Sequence, residues 1–304
     1  MKLKSILGVF LGIFLSTYPK VDFVVYSYDR PMQLFALLES MQRYILDETG
    51  EIQVIYRVSN YDYSSAYEVV KMYFSKVKFY KQGAKPQLDF KPLAMKCAFE
   101  SPNDYVSFVV DDIIVKDFFK LSTCIKYLEK TGAYCFLLRI GKNIKRCYPM
   151  KINSPVPESF KKVEADIYTW DFEDGLGDWG YPNNNDMTIY RKKDIEKDLR
   201  EIEDVYFTNT FYEPYWCSKI NKKNLKGLSF EYSKIVNLCL NIVNLEQPSH
   251  HQFSSNWKNE SISKYSSKNL LDQFNKGFKF NIDSVYKIYN EGAHIEFNMD
   301  LIKI

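Results

Sequence analysis

Two adjacent acidic residues, Asp111 and Asp112, follow a continuous apolar run from Tyr105 to Val110. Such a run is typical of a strand that is buried on both faces of a sheet. Neighbouring carboxylates raise each other's pKa unless a cation neutralises them, and Mg²⁺ or Mn²⁺ suits their oxygen atoms. Consecutive strand side chains point to opposite sides, so one Asp could bind metal while the other faces a ribose hydroxyl. The alternative is that the pair caps a following helix.

The elements that must position this pair alternate between strands and helices. We expect strands over residues 22–28, 52–58, 77–80, 105–110, 133–140 and 186–190, and helices over 64–75, 90–99, 118–130, 192–203, 213–223 and 270–274. A further helix is expected to begin at Pro31. The helix over 118–130 is expected to end at Gly132. The alternation predicts a mostly parallel α/β sheet, which binds ligands at the carboxyl ends of its strands.

Three polar clusters follow expected strand ends, namely Asp29-Arg30, Ser59 to Asp62, and Asp111-Asp112. Arg139 also leaves a strand near this edge and would either hold phosphate or pair with a buried acid. Beyond residue 141 the pattern loosens, and residues 235–245 fit a helix or a strand.

The Gly/Asn-rich segment from Asp174 to Asn185 predicts a flexible lid or binding loop. Trp170, Trp179 and Tyr181 lie in or near this segment. They would either stack on an acceptor sugar or belong to the core.

Two segments resemble a known family. FVVDDIIV (residues 108–115) resembles the metal-binding DxD element of GT-A glycosyltransferases, and DFVVYSYDRPMQLFALLESM (residues 22–41) resembles the first strand and helix of glycosyltransferase family 2. The two occur in the family's order, and the resemblance covers roughly Val21 to Leu121. It implies a GT-A-like (Rossmann-like) α/β fold, a mostly parallel sheet flanked by helices, with an irregular acceptor-side C-terminal half.

The resemblance also implies roles at the matching positions. A nucleotide-sugar donor, with a UDP-sugar favoured, would be bound by Ser27, Tyr28, Arg30, Asn60, Asp62, Lys91 and Asp111; Arg139 joins this set because of its place near the same edge. In this scheme Asn60 or Asp62 reads the base, Lys91 approaches the diphosphate or uracil, and Asp111 faces the ribose. Asp112 would bind Mn²⁺ or Mg²⁺, with His251 or His294 as a further ligand. The chain lacks the family's DDGS turn and its ED and QxxRW elements.

An inverting transferase needs a carboxylate that takes the proton of the acceptor hydroxyl. Asp178, Asp186 and Glu213 are the candidates, and Asp186 is favoured before Glu213. Each could instead be a solvated loop charge or a helix cap, and a retaining mechanism stays open.

Composition argues against several other classes. A net charge of +3 over 304 residues lacks the basic excess of a nucleic-acid-binding protein. No Walker loop, GxGxxG motif or nucleophile elbow occurs, which disfavours an NTPase, a dehydrogenase or a hydrolase. The six cysteines form no CxxC pair, so a zinc site is not indicated and most of them fit a reduced core.

The N-terminus carries Lys2 and Lys4 before an apolar run from Ile6 to Leu15, too short to span a bilayer. It fits a signal peptide, a weak anchor or an apolar segment packed on the domain. We therefore divide the chain into residues 1–20 (apolar segment), 21–255 (GT-A-like domain, with a nucleotide-sugar half 21–131 and an acceptor half 132–255) and 256–304 (helical extension packed on the domain). We expect a cytoplasmic location, with peripheral association at the inner membrane face; secretion stays open.

The favoured function is a metal-dependent glycosyltransferase that acts on a glycan or lipid-linked acceptor of the bacterial cell envelope. One alternative is a sugar nucleotidyltransferase, although SYDRPMQ (residues 27–33) lacks the Gly-rich loop with Arg and Lys that usually follows the first strand. The other alternative is a non-catalytic exported envelope protein with a glycosyltransferase-like fold.

Overall fold

The computed structural model describes residues 19–204, 207, 212–241 and 265–304. Its strands are β1 (Val21–Tyr28), β2 (Ile52–Arg57), β3 (Lys78–Lys81), β4 (Tyr105–Val110), β5 (Ile113–Val115), β6 (Cys135–Leu137), β7 (Arg146–Cys147), β8 (Ile152–Asn153), β9 (Lys161–Glu164), β10 (Ile167–Asp171), β11 (Asp186–Arg191), β12 (Lys226–Phe230), β13 (Ile235–Leu238), β14 (Phe278–Phe280), β15 (His294–Ile295) and β16 (Leu301–Lys303). Its helices are α1 (Pro31–Tyr44), α2 (Tyr61–Tyr73), α3 (Pro86–Phe99), α4 (Leu121–Thr131), α5 (Lys192–Glu201), α6 (Tyr212–Lys219) and α7 (Ser267–Asn275).

A nine-stranded sheet forms the centre, in the order β3-β2-β1-β4-β11-β6-β12-β10-β9. Strands β3, β2, β1 and β4 pair in parallel, and so do β6 and β12. Strand β11 is antiparallel to both β4 and β6, so those two strands run in the same direction. The predicted mostly parallel α/β sheet is therefore confirmed, with β11 and β10 as its reversed strands.

Both faces of the central strands are buried. Phe23 and Val25 of β1 pack into the core on the side of α1 and α2, whereas Val24 and Tyr26 pack with residues of α3 and α6. Because consecutive strand residues face opposite sides, a strand covered on both sides is apolar at every position. This explains why β4 is apolar at every position except Ser107.

Helix α1 begins at Pro31, where a missing N–H leaves no helical hydrogen bond unmade. Its apolar stripe faces the core, with Leu34, Phe35, Leu38 and Met41 all buried. The helix runs antiparallel to β1 along the sheet, and its start lies beside the carboxyl end of that strand. The sequence Asp29-Arg30-Pro31 is thereby held at the sheet edge where ligands are expected.

Helix α4 has clear signals at both ends. The carboxylate of Asp47 accepts hydrogen bonds from the N–H groups of Leu121 and Ser122, at 2.7 and 2.8 Å. Gly132 ends the helix with a φ of 66°, a left-handed conformation that glycine adopts without strain. The predicted stop at Gly132 is confirmed.

A second sheet, of order β15-β13-β5, leaves the central sheet directly after Asp111-Asp112. Strand β5 is antiparallel to β13, and β13 is parallel to β15, where Asn237 is paired with His294. The N–H of Leu238 also donates to the carbonyl oxygen of Asp112 at 2.8 Å. These pairings bring the start of β15 beside the aspartate pair.

The described part of the C-terminal region contains α7 and the antiparallel pair β14 and β16. Helix α7 packs against α1 and α2, where Phe274 contacts Phe35 with ring centroids 5.9 Å apart. Ser267 also forms a hydrogen bond of 3.0 Å with the hydroxyl of Tyr63. Within the described ranges, no helix has both the length and the hydropathy needed to cross a membrane.

Candidate active site

Asp111 and Asp112 lie at the corner between β4 and β5, at the carboxyl edge of the central sheet. The alternative that the pair caps a helix is wrong, because residues 113–115 form a strand and α4 begins only at Leu121. Asp111 is 2% exposed, whereas the side chain of Asp112 is 16% exposed. Asp112 is therefore the more accessible carboxylate.

Arg30 contacts both carboxylates. Its Nη1 lies 3.0 Å from Oδ1 of Asp111 and 3.2 Å from Oδ2 of Asp112. Its Nη2 donates to the carbonyl oxygen of Asn241 at 2.6 Å. The hydroxyl of Ser27 donates to Oδ2 of Asp111 at 2.7 Å. We call Ser27, Arg30, Asp111 and Asp112 the aspartate–arginine cluster.

The turn after β1 orients this cluster. Asp29 adopts a φ of 51°, which is uncommon for a residue with a side chain. Its Oδ1 accepts a hydrogen bond of 2.9 Å from the N–H of Ser59, which joins the ends of β1 and β2 and helps to hold this conformation. The hydroxyl of Tyr67, on α2, lies 2.5 Å from Ser27 Oγ and accepts from the N–H of Arg30 at 3.3 Å. The strained turn is thus fixed from two sides.

Burial raises the pKa of both Asp111 and Asp112, and the positive charge of Arg30 opposes this rise. His294 also lowers the pKa of Asp112, while Asp186 raises it. Electrostatic effects of this kind weaken with distance. Asp186 and His294 therefore belong to the surroundings of the aspartate pair.

Asp186 reaches this edge because it is the first residue of the reversed strand β11. Its partner in β4 is Val109, close to the carboxyl end of that strand. Asp186 Oδ2 lies 3.7 Å from Nε2 of His294 and 3.5 Å from Nη1 of Arg139. Asn237 donates to Oδ1 of Asp186 at 3.4 Å. The structure thus brings together three residues far apart in sequence that were each predicted to belong to the site.

Arg139 is almost completely buried and binds a second acid. Its Nη1 donates to Oδ1 of Asp178 at 2.6 Å, and its Nη2 donates to the carbonyl oxygen of Tyr181 at 3.1 Å. Of the two roles left open for Arg139, pairing with a buried acid is the one observed. Its Nε makes no hydrogen bond within the described part of the chain.

Glu213, in the first turn of α6, lies near enough to this arginine for their charges to interact. Its Oε2 accepts a hydrogen bond of 2.9 Å from the N–H of Asn185. Burial raises the pKa of Glu213, the charge of Asp186 raises it further, and Arg139 opposes the rise. We call Arg139, Asp178, Asp186 and Glu213 the buried acid cluster.

An open groove of about 640 Å³ lies at the carboxyl ends of β2 and β3. It is lined by Val58, Ser59, Asn60, Tyr61, Ser64, Lys81, Gln82, Gly83 and Ala84. Asn60 caps α2, since its Oδ1 accepts from the N–H groups of Asp62 and Tyr63 at 3.0 and 3.3 Å. Asp62 is exposed in the first turn of the same helix.

Two other predicted donor-binding residues have partners outside the aspartate–arginine cluster. Lys91 donates to the carbonyl oxygen of Ile202 at 2.6 Å and to Asp204 at 2.8 Å, so its ammonium group lies near the end of α5. The ring of Tyr28 lies 4.8 Å from the guanidinium carbon of Arg57. These contacts are with residues other than the four of the aspartate–arginine cluster.

The predicted lid is wrong for the asparagine end of residues 174–185. Asn183, Asn184 and Asn185 are at most 2% exposed. Asn184 Oδ1 accepts from the N–H of Asp186 at 3.0 Å and from Thr188 Oγ1 at 2.8 Å. Amide side chains can satisfy buried backbone groups in this way, so a polar segment need not be exposed.

Trp170 and Trp179 belong to the core, being 1% and 0% exposed. Trp170 Nε1 donates to the carbonyl oxygen of Trp179 at 2.9 Å, and Trp179 Nε1 donates to that of Ile144 at 3.1 Å. Neither ring is available to stack on a sugar. Tyr181 is partly exposed, and its ring centre lies 5.9 Å from the guanidinium carbon of Arg139.

Asp112 and His294 have atoms that suit a divalent ion. Asp112 Oδ1 and His294 Nδ1 are buried and make no hydrogen bond within the described ranges. Carboxylate oxygen and imidazole nitrogen are both ligands of Mn²⁺. Among the same residues, however, no three His, Cys, Asp or Glu side chains form a ready metal site. The ligand atoms of Asp112 and His294 are thus of a suitable type for such an ion, although Arg30 already contacts both aspartates. His251, the other predicted ligand, lies outside the described residues.

Three residues of the site were not predicted, namely Tyr67, Asn237 and Asn241. The two asparagines interrupt the apolar run that begins at Ile235, and a polar residue in a buried strand requires a partner. That interruption was a usable signal. Tyr67 is an ordinary aromatic residue on the buried side of a helix, and nothing in the sequence distinguishes it.

No family model matches the chain. Among curated proteins, the bifunctional glycosyltransferase pgtA of Dictyostelium discoideum is 25% identical over 202 residues. The match covers 61% of this chain and 26% of pgtA, so the chain spans about a quarter of that relative.

Two solved structures are also similar. GalNAc-T7 with UDP, GalNAc and Mn²⁺ has a TM-score of 0.50 at 11% identity, over 73% of this chain and 44% of that one. TarS of S. aureus has a TM-score of 0.43 at 17% identity, over 69% of this chain and 35% of that one. The likeness to GalNAc-T7 confirms the GT-A-like fold. Together with pgtA it confirms the resemblance to GT-A glycosyltransferases and supports the prediction of an enzyme of that class.

Proposed function

We propose that this GT-A-type protein is a nucleotide-sugar-dependent glycosyltransferase that transfers its sugar to a hydroxyl group, with Mn²⁺ or Mg²⁺ as cofactor. The observation that carries the proposal is the position of Asp186 at the carboxyl edge of the sheet, where it lies 3.5 Å from Arg139 of the buried acid cluster and pairs with Val109, close to Asp111 and Asp112 of the aspartate–arginine cluster. Parallel sheets bind ligands at this edge. Groups suited to an anionic donor and groups suited to deprotonating an acceptor therefore lie side by side.

Donor binding would use the turn after β1 and the groove beside it. The guanidinium group of Arg30 suits the diphosphate, because arginine forms paired hydrogen bonds with phosphate oxygens. The groove at the ends of β2 and β3 would hold the base and ribose, with Ser59 and Asn60 supplying polar contacts. UDP is the nucleotide we favour, as the sequence resemblance implies, and GalNAc-T7 was crystallised with it.

Asp186 is our choice for the residue that accepts the proton of the acceptor hydroxyl. Glu213 is the weaker choice, because its raised pKa favours the protonated form near neutral pH. Arg139 lies 3.5 Å from Asp186 and 2.6 Å from Asp178, so one buried cation orients both acids. A carboxylate oriented in this way is suited to general-base catalysis.

The metal would be held by Asp112 and His294, whose buried Oδ1 and Nδ1 atoms are without hydrogen bonds in the described ranges. A bound divalent ion would neutralise the charge that grows on the leaving diphosphate. Within the chain, the contribution of Asp111 is to fix Ser27 and Arg30 by hydrogen bonds of 2.7 and 3.0 Å.

The acceptor that we propose is a glycan or a lipid-linked sugar of the cell envelope. Since nucleotide sugars are cytosolic, the corresponding location is the cytoplasm, with peripheral contact to the inner membrane face. The apolar run from Ile6 to Leu15 is the feature that supports membrane contact, and it lies outside the described residues.

Nucleotide sugars should be screened by thermal shift with and without Mn²⁺, on wild type, Asp112→Asn and the control Asp272→Asn. Asp272 lies on α7 in an exposed pair with Lys268, so its loss should change nothing at the site. We expect one donor to raise the melting temperature of wild type and control in a Mn²⁺-dependent manner, because a ligand stabilises the state that binds it. The shift should be lost in Asp112→Asn.

Products then separate the alternatives. A transferase releases a nucleoside diphosphate from the donor when an acceptor is present. A sugar nucleotidyltransferase instead releases pyrophosphate from a nucleoside triphosphate and a sugar phosphate. Absence of any donor-dependent shift and of either product would reject the proposal in favour of a non-catalytic protein.

A further inference from the structure

We infer that Arg30 and the divalent cation are alternative counter-ions of the Asp111–Asp112 pair, so that Arg30 leaves the pair when metal and donor diphosphate bind together. This inference rests on the proposed function and deepens it. Arg30 would be a positioning residue that couples metal binding to donor binding.

The first observation is that Arg30 occupies the place of a counter-ion. A single atom, Nη1, lies 3.0 Å from Asp111 and 3.2 Å from Asp112. The side chain of Arg30 is only 15% exposed, so water screens these contacts weakly. Two neighbouring buried carboxylates without a cation would be strongly destabilising, and Arg30 is the group that prevents this.

The second observation is that three buried polar atoms at this site lack hydrogen bonds to described residues. Its Nε, Asp112 Oδ1 and His294 Nδ1 are all buried, and none of these atoms makes a hydrogen bond to a described residue. Buried polar atoms normally find partners. Such atoms on Arg30 and on the two proposed metal ligands, Asp112 and His294, indicate that a bound ligand completes the site.

Both cations cannot keep full contact with the pair. A divalent ion on Asp112 would lie close to the guanidinium group that contacts the same carboxylate, and like charges at that distance repel strongly in a poorly solvated site. A diphosphate removes the conflict, because its oxygens can accept the N–H groups that Arg30 withdraws from the aspartates. Release of Arg30 would also free the carbonyl oxygen of Asn241, which now accepts from Nη2 at 2.6 Å.

This exchange makes a thermodynamic prediction. Metal alone must displace Arg30 and should bind weakly, whereas metal with UDP should bind well. By linkage, UDP must then raise the affinity for metal by the same factor as metal raises the affinity for UDP. Replacing Arg30 should abolish this coupling between metal binding and UDP binding.

Mn²⁺ affinity should be measured by electron paramagnetic resonance of the free ion, with and without UDP, on wild type, Arg30→Gln and Arg43→Gln. Arg43 is the matched control, an arginine that is half exposed and pairs with Asp283 at 2.8 Å on the surface. We expect Arg30→Gln to bind Mn²⁺ alone about tenfold more tightly than wild type, with Arg43→Gln unchanged. UDP should raise the affinity of wild type about tenfold and that of Arg30→Gln much less.

Equal Mn²⁺ affinity of wild type and Arg30→Gln without UDP would overturn the inference. Tighter Mn²⁺ binding by Arg30→Gln with no effect of UDP on any variant would support the counter-ion exchange while contradicting the proposed donor. If Arg30→Gln does not fold, Arg30→Lys replaces it, since a lysine keeps the charge but lacks the planar fork. Mn²⁺ should then raise the melting temperature of Arg30→Lys more than that of wild type, and an equal rise would again reject the idea.

Discussion

At the scale of the residue, the contacts of Asp186 differ from those of the other acids of the site. Its oxygens lie 3.4 Å from Asn237, 3.5 Å from Arg139 and 3.7 Å from His294. Distances of this size correspond to weak hydrogen bonds or none. Asp178, in contrast, is held by Arg139 at 2.6 Å. Asp186 is therefore oriented by its neighbours but keeps the capacity to accept another proton donor.

Asp186→Asn should slow sugar transfer strongly while leaving donor binding intact. An amide cannot take the acceptor proton, so kcat should fall by about 10²–10⁴-fold with little change in the KM for the donor. Steady-state kinetics measures both constants. Glu213→Gln is the comparison, because glutamine resembles the protonated acid that the raised pKa favours. A larger loss in Glu213→Gln than in Asp186→Asn would show that the roles are reversed.

At the scale of the element, the sequence predicted the first half of the fold better than the second. Strands β1, β2 and β4 are rich in β-branched and aromatic residues, and α1 has an apolar stripe at helical spacing, so the local sequence is sufficient to identify them. Strands β7 to β10 have only two to five residues each and were missed. So was β12, because short strands carry too few residues to show a period.

The pairing of strands and of distant residues could not be predicted from the sequence either. The direction of β11 determines that Asp186 lies beside Asp112, yet a strand has the same pattern in both directions. The contact between Arg30 and Asp112 spans 82 residues, and the resemblance implied a nucleotide for Arg30 rather than this carboxylate. Segments were thus predictable from local pattern, whereas the meeting of residues depended on tertiary packing.

Gly132→Ala tests the end of α4 in isolation. The φ of 66° would cost an alanine about 1 kcal/mol, and among the described residues the added methyl group meets no neighbour within 4 Å. We expect the free energy of unfolding, measured by urea titration, to fall by that amount with no change in activity. An unchanged stability would indicate that the helix end relaxes to another conformation.

Asp22 is fully buried at the opposite edge of the sheet, where it joins β1 to the segments before β2 and β4 and to α5. It accepts hydrogen bonds from the N–H of Glu51, from Asn103 and from Ser101, and forms an ion pair of 2.7 Å with Lys192 at the start of α5. Asp22→Ala would leave a buried ammonium group unpaired. We expect a loss of about 3–5 kcal/mol in unfolding free energy by urea titration.

The control for Asp22→Ala is Glu164→Ala, which breaks an exposed ion pair with Lys130. Surface pairs of this kind contribute about 0–1 kcal/mol. Similar losses in the two variants would contradict the role given to the buried Asp22 network.

At the scale of the whole molecule, contacts between residues far apart in the chain join the central sheet to the C-terminal region. His294 in β15 approaches Asp186, and α7 packs on α1 near the start of the chain. Lys116, which follows β5, is a further link, because its N–H donates to the carbonyl oxygen of Lys234 and its own carbonyl accepts from Lys287. The central sheet and the C-terminal region should therefore unfold together.

Lys116 makes this global stability depend on pH. Its side chain is buried, its Nζ donates to the carbonyl oxygen of Ile288 at 3.0 Å, and burial lowers its pKa to about 8. In the unfolded chain a lysine has a pKa of about 10.4. Below pH 8 both states are protonated and the cost of burying the charge is fully present. Between pH 8 and about 10.4 the unfolded state binds more protons, so this group makes the wild type more stable as pH rises.

Lys116→Met removes that charge, so the variant should be more stable than wild type by about 1–3 kcal/mol below pH 8. The variant also loses the hydrogen bond to Ile288. That loss lowers the stability of the variant about equally at every pH. The difference should therefore shrink steadily between pH 8 and 10, and urea titrations at four pH values would follow it. Lys120→Met, at an exposed position, is the matched control for replacing a lysine by methionine. A constant difference for Lys116→Met would mean that the buried lysine keeps its ordinary pKa.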